Sequence, residues 1–316
     1  MCYNLGASPC YDTPKKQMLY LANNTQSTTS SEVFGDLYQW GRHTDGHEKR
    51  SSASYPCNNT TIPSTAANGS TVTPLGVANL DVNGQPAGTV NTTAATNCPN
   101  AALPVSDKFI KISPSPYDWR TPQSNSLWGN GNAISVNQTP HKTVNDPCPL
   151  GWRVPTQDEW EKLCNYDGNP NVAGGDFYPT TAITSTSTGL TWVAVRCGSG
   201  VGNTCIASNS GWSTASPNNA NGYAIYSTSV WSSSGLSTNS DLLAPGSPEP
   251  LLFLPAAGYR GYYSGAFGSV GTYGGYWSSS INGTLAYYLL FYATAVGPDG
   301  STYRADGFSV RCVSEL

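Results

Sequence analysis

The chain has 316 residues, only 11% of them charged, with 19 acidic against 15 basic side chains and a net charge of −4. That charge fraction is less than half the roughly 25% of an ordinary soluble protein, and no Lys/Arg cluster supplies the positive field that nucleic acid needs. No run of about 18 apolar residues reads as a membrane-spanning helix.

Gly (33) and Pro (23), with abundant Ser, Thr and Asn, take the place of the missing charge. This mixture favours turns and short strands over long helices. Nine Trp and nineteen Tyr supply enough apolar area for a core. Nine cysteines point to an oxidising compartment. CxxC is absent, and His43, His47 and His141 are not near paired cysteines, so no zinc site is spelled out. The length accommodates one large domain or two small ones.

In chain order, the opening Met1-Cys2-Tyr3-Asn4-Leu5-Gly6-Ala7 reads like the inside of a strand and turn. The expectation is the downstream part of a longer exported protein, attached to an upstream domain, with its targeting segment upstream or removed. Residues 32–43 (EVFGDLYQWGRH) place Val33, Leu37 and Trp40 at i, i+4 and i+7, predicting a short amphipathic helix. His47-Glu48-Lys49-Arg50 reads as an exposed loop. Residues 51–106 are nearly uncharged and read as a loop-rich insertion, stapled by Cys57 and Cys98. Aromatic density returns at Trp119 and Trp128, which predicts renewed contact with the core.

The clearest helix follows the extended Asp146-Pro147-Cys148-Pro149. Thr156 and Glu159 form a capping box, and Trp160, Leu163 and Cys164 share one face. Beyond it, Leu190–Val195, Tyr223–Trp231, Leu251–Ala257, Tyr276–Ser279, Ala286–Tyr292 and Gly307–Val313 read as short strands. Two short helices early and many strands late predict an α+β domain.

The segment 258–313 is crowded with Tyr, Ser, Gly and Asn, the alphabet of adaptable binding loops. Tyr supplies stiff amphipathic area, and Ser, Gly and Asn supply hydrogen bonds. Trp277, Phe291, Phe308, Val310 and Cys312 punctuate it as frame. Alternation in 286–292 puts Tyr288, Leu290 and Tyr292 on one face and Tyr287, Leu289 and Phe291 on the other. A display surface is the predicted function, with Tyr262, Tyr263, Tyr273, Tyr288, Tyr292 and Tyr303 as its aromatic set and Asn282 beside them.

Catalytic readings are weaker. A formylglycine-type oxidase needs a reactive cysteine pair in an open groove, whereas Cys197 and Cys205 read as a short loop staple. A Ca²⁺-dependent sugar site needs carboxylate and amide oxygens at fixed spacing. Glu249-Pro250-Leu251 and Trp277-Ser278-Ser279 lack them. A structural Ca²⁺ near Asp241 or Asp299 has no motif behind it. No nucleophile motif flanks the histidines.

WGRHTDGHEKR, DWR, LWGN, NDPCPLGWRVPTQDEW, LFLPAAGYR, YWSSS and YRADGFSVRCV occur in this order, after an opening NLGA. Together they resemble the FISUMP-type paralogous domain of Bacteroidetes-like surface proteins, over nearly the whole chain except 51–106 and parts of 165–250. The resemblance implies a single C-type-lectin-like domain over 1–316, of the broad group that includes formylglycine-generating enzymes, with short strands, two short helices and long loops. It implies an extracellular or cell-surface location (fimbrial tip or lipoprotein), or alternatively a phage virion. Some members are variable proteins of diversity-generating retroelements. By that resemblance Gly261, Tyr262, Tyr273, Tyr288, Tyr292, Tyr303 and Asp306 stand where others commonly carry Asn or Ser. A macromolecular ligand, protein or surface glycan, and no cofactor follow from it; a non-variable structural or adhesive surface domain is the alternative. The same fold implies a Cys148–Cys312 disulfide, with Cys2–Cys10 as a further local staple and Cys164 free. Phe291 matches the family frame, which assigns Tyr288 and Tyr292 to solvent.

Overall fold

A computed structural model of the protein describes residues 1–24, 30–55, 74–87, 89–91, 102–104, 106–113, 115–129, 140–164, 183–184, 189–198, 201–208, 219–292 and 295–315. The helices are α1 (Pro14–Asn23), α2 (Gln157–Cys164) and α3 (Thr228–Ser233). The early strands are β1 (Tyr38–Gln39), β2 (Ser54–Tyr55), β3 (Thr89–Asn91), β4 (Ala102–Pro104), β5 (Phe109–Ile110) and β6 (Trp152–Arg153). A middle group comprises β7 (Ile183–Thr184), β8 (Leu190–Gly198), β9 (Thr204–Ala207), β10 (Asn219–Ser227) and β11 (Leu252–Pro255). The last group is β12 (Tyr259–Arg260), β13 (Phe267–Gly268), β14 (Tyr273–Asn282), β15 (Leu285–Tyr292), β16 (Ala295–Thr302), β17 (Gly307–Phe308) and β18 (Val313–Ser314). The architecture is mixed, mostly short sheets with few short helices and no barrel among the described residues.

Two sheets form the centre. One has the order β11-β10-β8-β7 with β9 on β8, and the other is the antiparallel meander β14-β15-β16. In β8, Val193, Val195 and Cys197 face α1, while Trp192 and Ala194 face the meander. Both faces are buried, so this strand reads as an unbroken apolar run rather than an alternating one. The meander is likewise covered twice. Tyr276, Leu289 and Phe291 pack on the first sheet, and Trp277 and Tyr288 pack on a cluster of loop residues around Trp40, Trp119 and Trp128.

That loop cluster is held by indole donors. Trp40 donates to Ser278 O (2.9 Å), Trp119 to Trp40 O (2.8 Å), Trp128 to Arg42 O (3.0 Å) and Trp277 to Tyr38 O (2.6 Å). Each ring thus buries its apolar body and satisfies its one polar atom on a backbone carbonyl. The chain's ends meet beside this cluster, where β6 pairs with β18 and Leu5 N donates to Val310 O. The Cys148–Cys312 disulfide closes the same corner with a Cα–Cα distance of 5.9 Å. Cys197–Cys205 clips β8 to β9, and Cys164 is a buried free thiol.

Several sequence expectations need correction. Residues 32–43 form no helix; Gly35 and Gly41 have φ of +68° and +85°, outside helical space. Val33, Leu37 and Trp40 are buried all the same. The helix nearby is α1, whose Thr13 cap, Pro14 at its first turn and Met18/Leu21/Ala22 stripe carry an ordinary helix signature. The expected strand Tyr223–Trp231 breaks at Ser227, which caps α3 by accepting from Val230 N. The run Gly307–Val313 is two separate pairings, β17 and β18. His47, Glu48 and Arg50 are buried, not an exposed loop. Arg50 donates to Gly35 O and Ala257 O, and Glu48 accepts from two backbone N–H groups. Cys2 and Cys10 are exposed free thiols rather than a staple. Gln17 donates to Cys2 O and Tyr11 O, which anchors each backbone separately on α1. The pair Cys57–Cys98 lies outside the described residues.

Candidate ligand-binding site

The turn from Gly261 to Ala266 is closed by Gly261 N to Ala266 O (2.9 Å) and Gly265 N to Gly261 O (2.8 Å). It presents Tyr262 and Tyr263. Tyr262 is held from both sides, its N–H donating to Asp306 Oδ1 (2.9 Å) and its carbonyl accepting from Ile112 N (2.9 Å). Tyr303 accepts from Asp306 N (3.0 Å), and Tyr117 accepts from Ala305 N (3.2 Å). The three rings pack on one another with centroids 4.5–4.9 Å apart, and Tyr263 adjoins Tyr262 at 6.5 Å. Tyr117, Tyr262 and Tyr303 are half-buried, and Tyr263 is 51% exposed.

Tyr117 was not singled out in the sequence. It adopts φ +58°, a conformation rare for a bulky side chain and usually retained where the surroundings impose it. No local sequence signal marks it: it precedes the buried Asp118 and Trp119 and joins the other rings only through the fold.

Asp306 is not a surface residue. It is buried, and its carboxylate accepts from Tyr262 N and Thr302 Oγ1 (2.7 Å). Burial raises its pKa to about 6. It therefore orients the ledge from beneath. Asn282 is exposed in the β14–β15 turn and donates to Ser301 Oγ (3.2 Å), one residue from Thr302.

The grouping of Tyr288, Leu290 and Tyr292 on one strand face is seen, but the solvent assignment fails for Tyr288. Its ring stacks on Phe308 at 4.6 Å and meets Trp277 edge-on, and its hydroxyl pairs with that of Tyr273 (2.8 Å). The cause is the double coverage of the meander, which leaves β15 no wet face along its middle. Exposure appears only at the strand's end, where Tyr292 is 37% exposed. Tyr273 is half-buried between Tyr259 and Phe308. Gly261, Tyr262, Tyr263, Tyr303 and Asp306 thus come together with Tyr117, and Asn282 borders them. Tyr292 sits at the other end of β15, opposite Tyr273.

Other chemistries find little footing. Cys197 and Cys205 are disulfide-bonded and fully buried. Asp241 is occupied by Thr204 Oγ1 and Leu243 N. Asp45, His47 and Glu48 bring three potential ligand atoms within 4.8 Å of one another. However, His47 Nε2 accepts from Gln39 N (3.1 Å), which leaves Nδ1 as the protonated atom donating to Asp45 Oδ1 (2.6 Å). Burial lowers the His47 pKa, in keeping with that neutral tautomer. The group is a satisfied polar knot that does not fit a metal ion.

Among the described residues no helix is long and apolar enough to cross a membrane. Comparison with curated proteins and with solved structures gave no match. A family profile, the Fibrobacter succinogenes major domain, matches residues 4–314 and so takes in the Trp clusters, the Cys148–Cys312 and Cys197–Cys205 disulfides and the tyrosine ledge. The chain belongs to the Fibrobacter succinogenes major domain family.

Proposed function

We propose that the ledge of Tyr117, Tyr262, Tyr263 and Tyr303 is the binding surface of a surface-located, non-catalytic adhesin or receptor-binding domain. The observation that carries this reading is the pairing of presented aromatic rings with anchored backbones: Tyr117, Tyr262 and Tyr303 each hydrogen-bond to the frame. Rings held in advance lose little entropy on binding, so their desolvation converts more fully into affinity. The partner is a macromolecule, protein or surface glycan, met across an aromatic face.

The meeting of the chain's ends, the β14–β16 meander and the long loops support reading the domain as C-type-lectin-like. The Tyr-, Ser- and Gly-rich segment 258–313 supports diversification by a retroelement as its origin. Burial of Tyr288 and Asp306 narrows the exchangeable set to Gly261, Tyr262, Tyr273, Tyr292 and Tyr303. A neighbouring near-copy of the gene's 3′ segment differing at adenines, beside a reverse transcriptase, is the expected genomic context; its absence would reject diversification while leaving binding untouched.

Binding is tested by applying labelled protein to a panel of cell surfaces. Tyr262→Ser combined with Tyr263→Ser should reduce retention at least tenfold at unchanged melting temperature. Equal retention by parent and variant would remove the ledge from the function.

A further inference from the structure

Beneath the same turn lies a pair of cations without an acidic partner. Arg260 is 1% exposed, its ring-like plane 4.3 Å from Phe109 and 5.4 Å from Phe267. Four of its five N–H donors go to neutral oxygens: Gly265 O, Ser52 O, Ser52 Oγ and Ser54 Oγ, at 2.7–3.0 Å. No carboxylate among the described residues pairs with it. Lys111 is only 5% exposed and sits against Gly265 and Ser54: its Cδ would lie 3.3 Å from a β-carbon at Gly265. Its backbone N–H donates to Tyr55 O (2.7 Å), while its ammonium has neither a hydrogen-bond nor an ion-pair partner among the described residues. Residues 56–73, which follow Tyr55 directly, contain no Asp or Glu to provide one.

The Lys111 stem is buried while its ammonium still reaches solvent, and beside a second buried cation that charge is unfavourable unless an anion pairs with it. Two other buried cations have an acid at hand. Arg42 has Asp45, and Arg304 lies 3.7 Å from Asp118. The difference at Lys111 is the missing acid.

We infer that Lys111, backed by the field of Arg260, is a binding notch for an oxyanion, the carboxylate, sulfate or phosphate group of a ligand. With four of the five guanidinium N–H donors already used, the contact runs chiefly through the ammonium. Burial and the adjacent Arg260 lower the Lys111 pKa in the empty notch, and a bound anion reverses that shift. Ile112, the next residue, receives the Tyr262 carbonyl, so a charged group held at Lys111 lies under the presented tyrosines. An acidic ligand reaching the ledge would therefore find its counter-charge there.

The test uses small anions and needs no macromolecular ligand, so its failure would leave the ledge reading standing. Melting temperatures of the full chain and of Lys111→Met are compared in acetate, sulfate and phosphate at matched ionic strength, with chloride as reference. Without oxyanion, Lys111→Met should melt at or above the parent, because it removes an unpaired charge that Arg260 repels. One or more oxyanions should raise the parent's melting temperature and leave the variant's unchanged, and which does so identifies the group. Equal rises in both proteins mean an adventitious ion only and overturn the proposal, as does a variant that melts below the parent in chloride. Should the variant not fold, the ¹³C-methylated Lys111 signal of the parent decides. A saturable shift at Lys111 with none at exposed Lys108 supports the notch; no shift, or the same shift at both, rejects it.

Discussion

Tyr288 and Tyr292 lie four residues apart on one strand face, yet only one of them can be exchanged freely. Tyr288→Ser removes a ring stacked on Phe308 and orphans the Tyr273 hydroxyl, so about 3 kcal/mol of stability should be lost by urea unfolding. Tyr292→Ser should stay within about 0.5 kcal/mol of the parent. Comparable losses at both sites would mean that the strand end is packed like its middle. Asp306 gives a pH-dependent signature. Its pKa rises from 3.8 to about 6 on folding, so the folded state holds the proton more tightly. Its stabilising contribution is therefore complete below about pH 4 and is lost as pH rises through 6. His47, whose pKa is lowered, runs the opposite way and loses its contribution as pH falls through its unfolded value. Because the two oppose each other, the comparison of interest is between proteins: Asp306→Asn should show a smaller loss of stability than the parent between pH 4 and 7. An unchanged slope would refute the burial of this carboxyl.

The elements differ in how plainly the sequence announces them. The capping box of α2 is present as read: Thr156 Oγ1 accepts from Glu159 N, and Glu159 Oε2 accepts from Thr156 N (2.8 Å). Arg153 adds a bidentate pair to the same carboxylate. Trp160, facing inward, donates to Trp277 O and meets Tyr276 edge-on. Trp160→Ala should cost about 3–5 kcal/mol; a melting temperature within a degree or two of the parent would show α2 to be peripheral. Local patterns worked here because helix caps and apolar stripes are short-range. They failed at 32–43, where apolar spacing matched a helix but Gly35 must pass beside Leu5 O, a neighbour the local sequence does not reveal. They failed again at Tyr288, because alternation separates two faces without saying whether either is wet. The charged run at His47–Arg50 misled for a related reason, since Arg50 is buried by reaching Gly35 O and the distant Ala257 O, which local charge does not reveal.

For the whole molecule, the frame is stapled from end to end while the ledge is carried on turns. Cys148 and Cys312 are 164 residues apart. Replacing both by Ser should lower stability by about 5 kcal/mol in the chain-entropy account, read as a drop in urea midpoint; a loss under about 1 kcal/mol would show the corner to be held by β6–β18 pairing alone. The order of the Trp-bearing motifs was legible as frame because Trp40, Trp119, Trp128, Trp160 and Trp277 each donate to a backbone carbonyl, which fixes residue type and place together. The ledge was legible in part: Tyr262, Tyr263 and Tyr303 stood out by composition, whereas Tyr117 joins them only through the fold.

Tyrosine footprinting of the intact protein, free and bound to a cell surface that retains it, tests the central claim most directly. The account predicts that Tyr263 and Tyr292 label readily in the free protein and Tyr288 does not, and that binding protects Tyr117, Tyr262, Tyr263 and Tyr303 while Tyr11 and Tyr20 keep their labelling. Protection centred on Tyr11 and Tyr20, or bound protein with the ledge tyrosines still fully labelled, would contradict it.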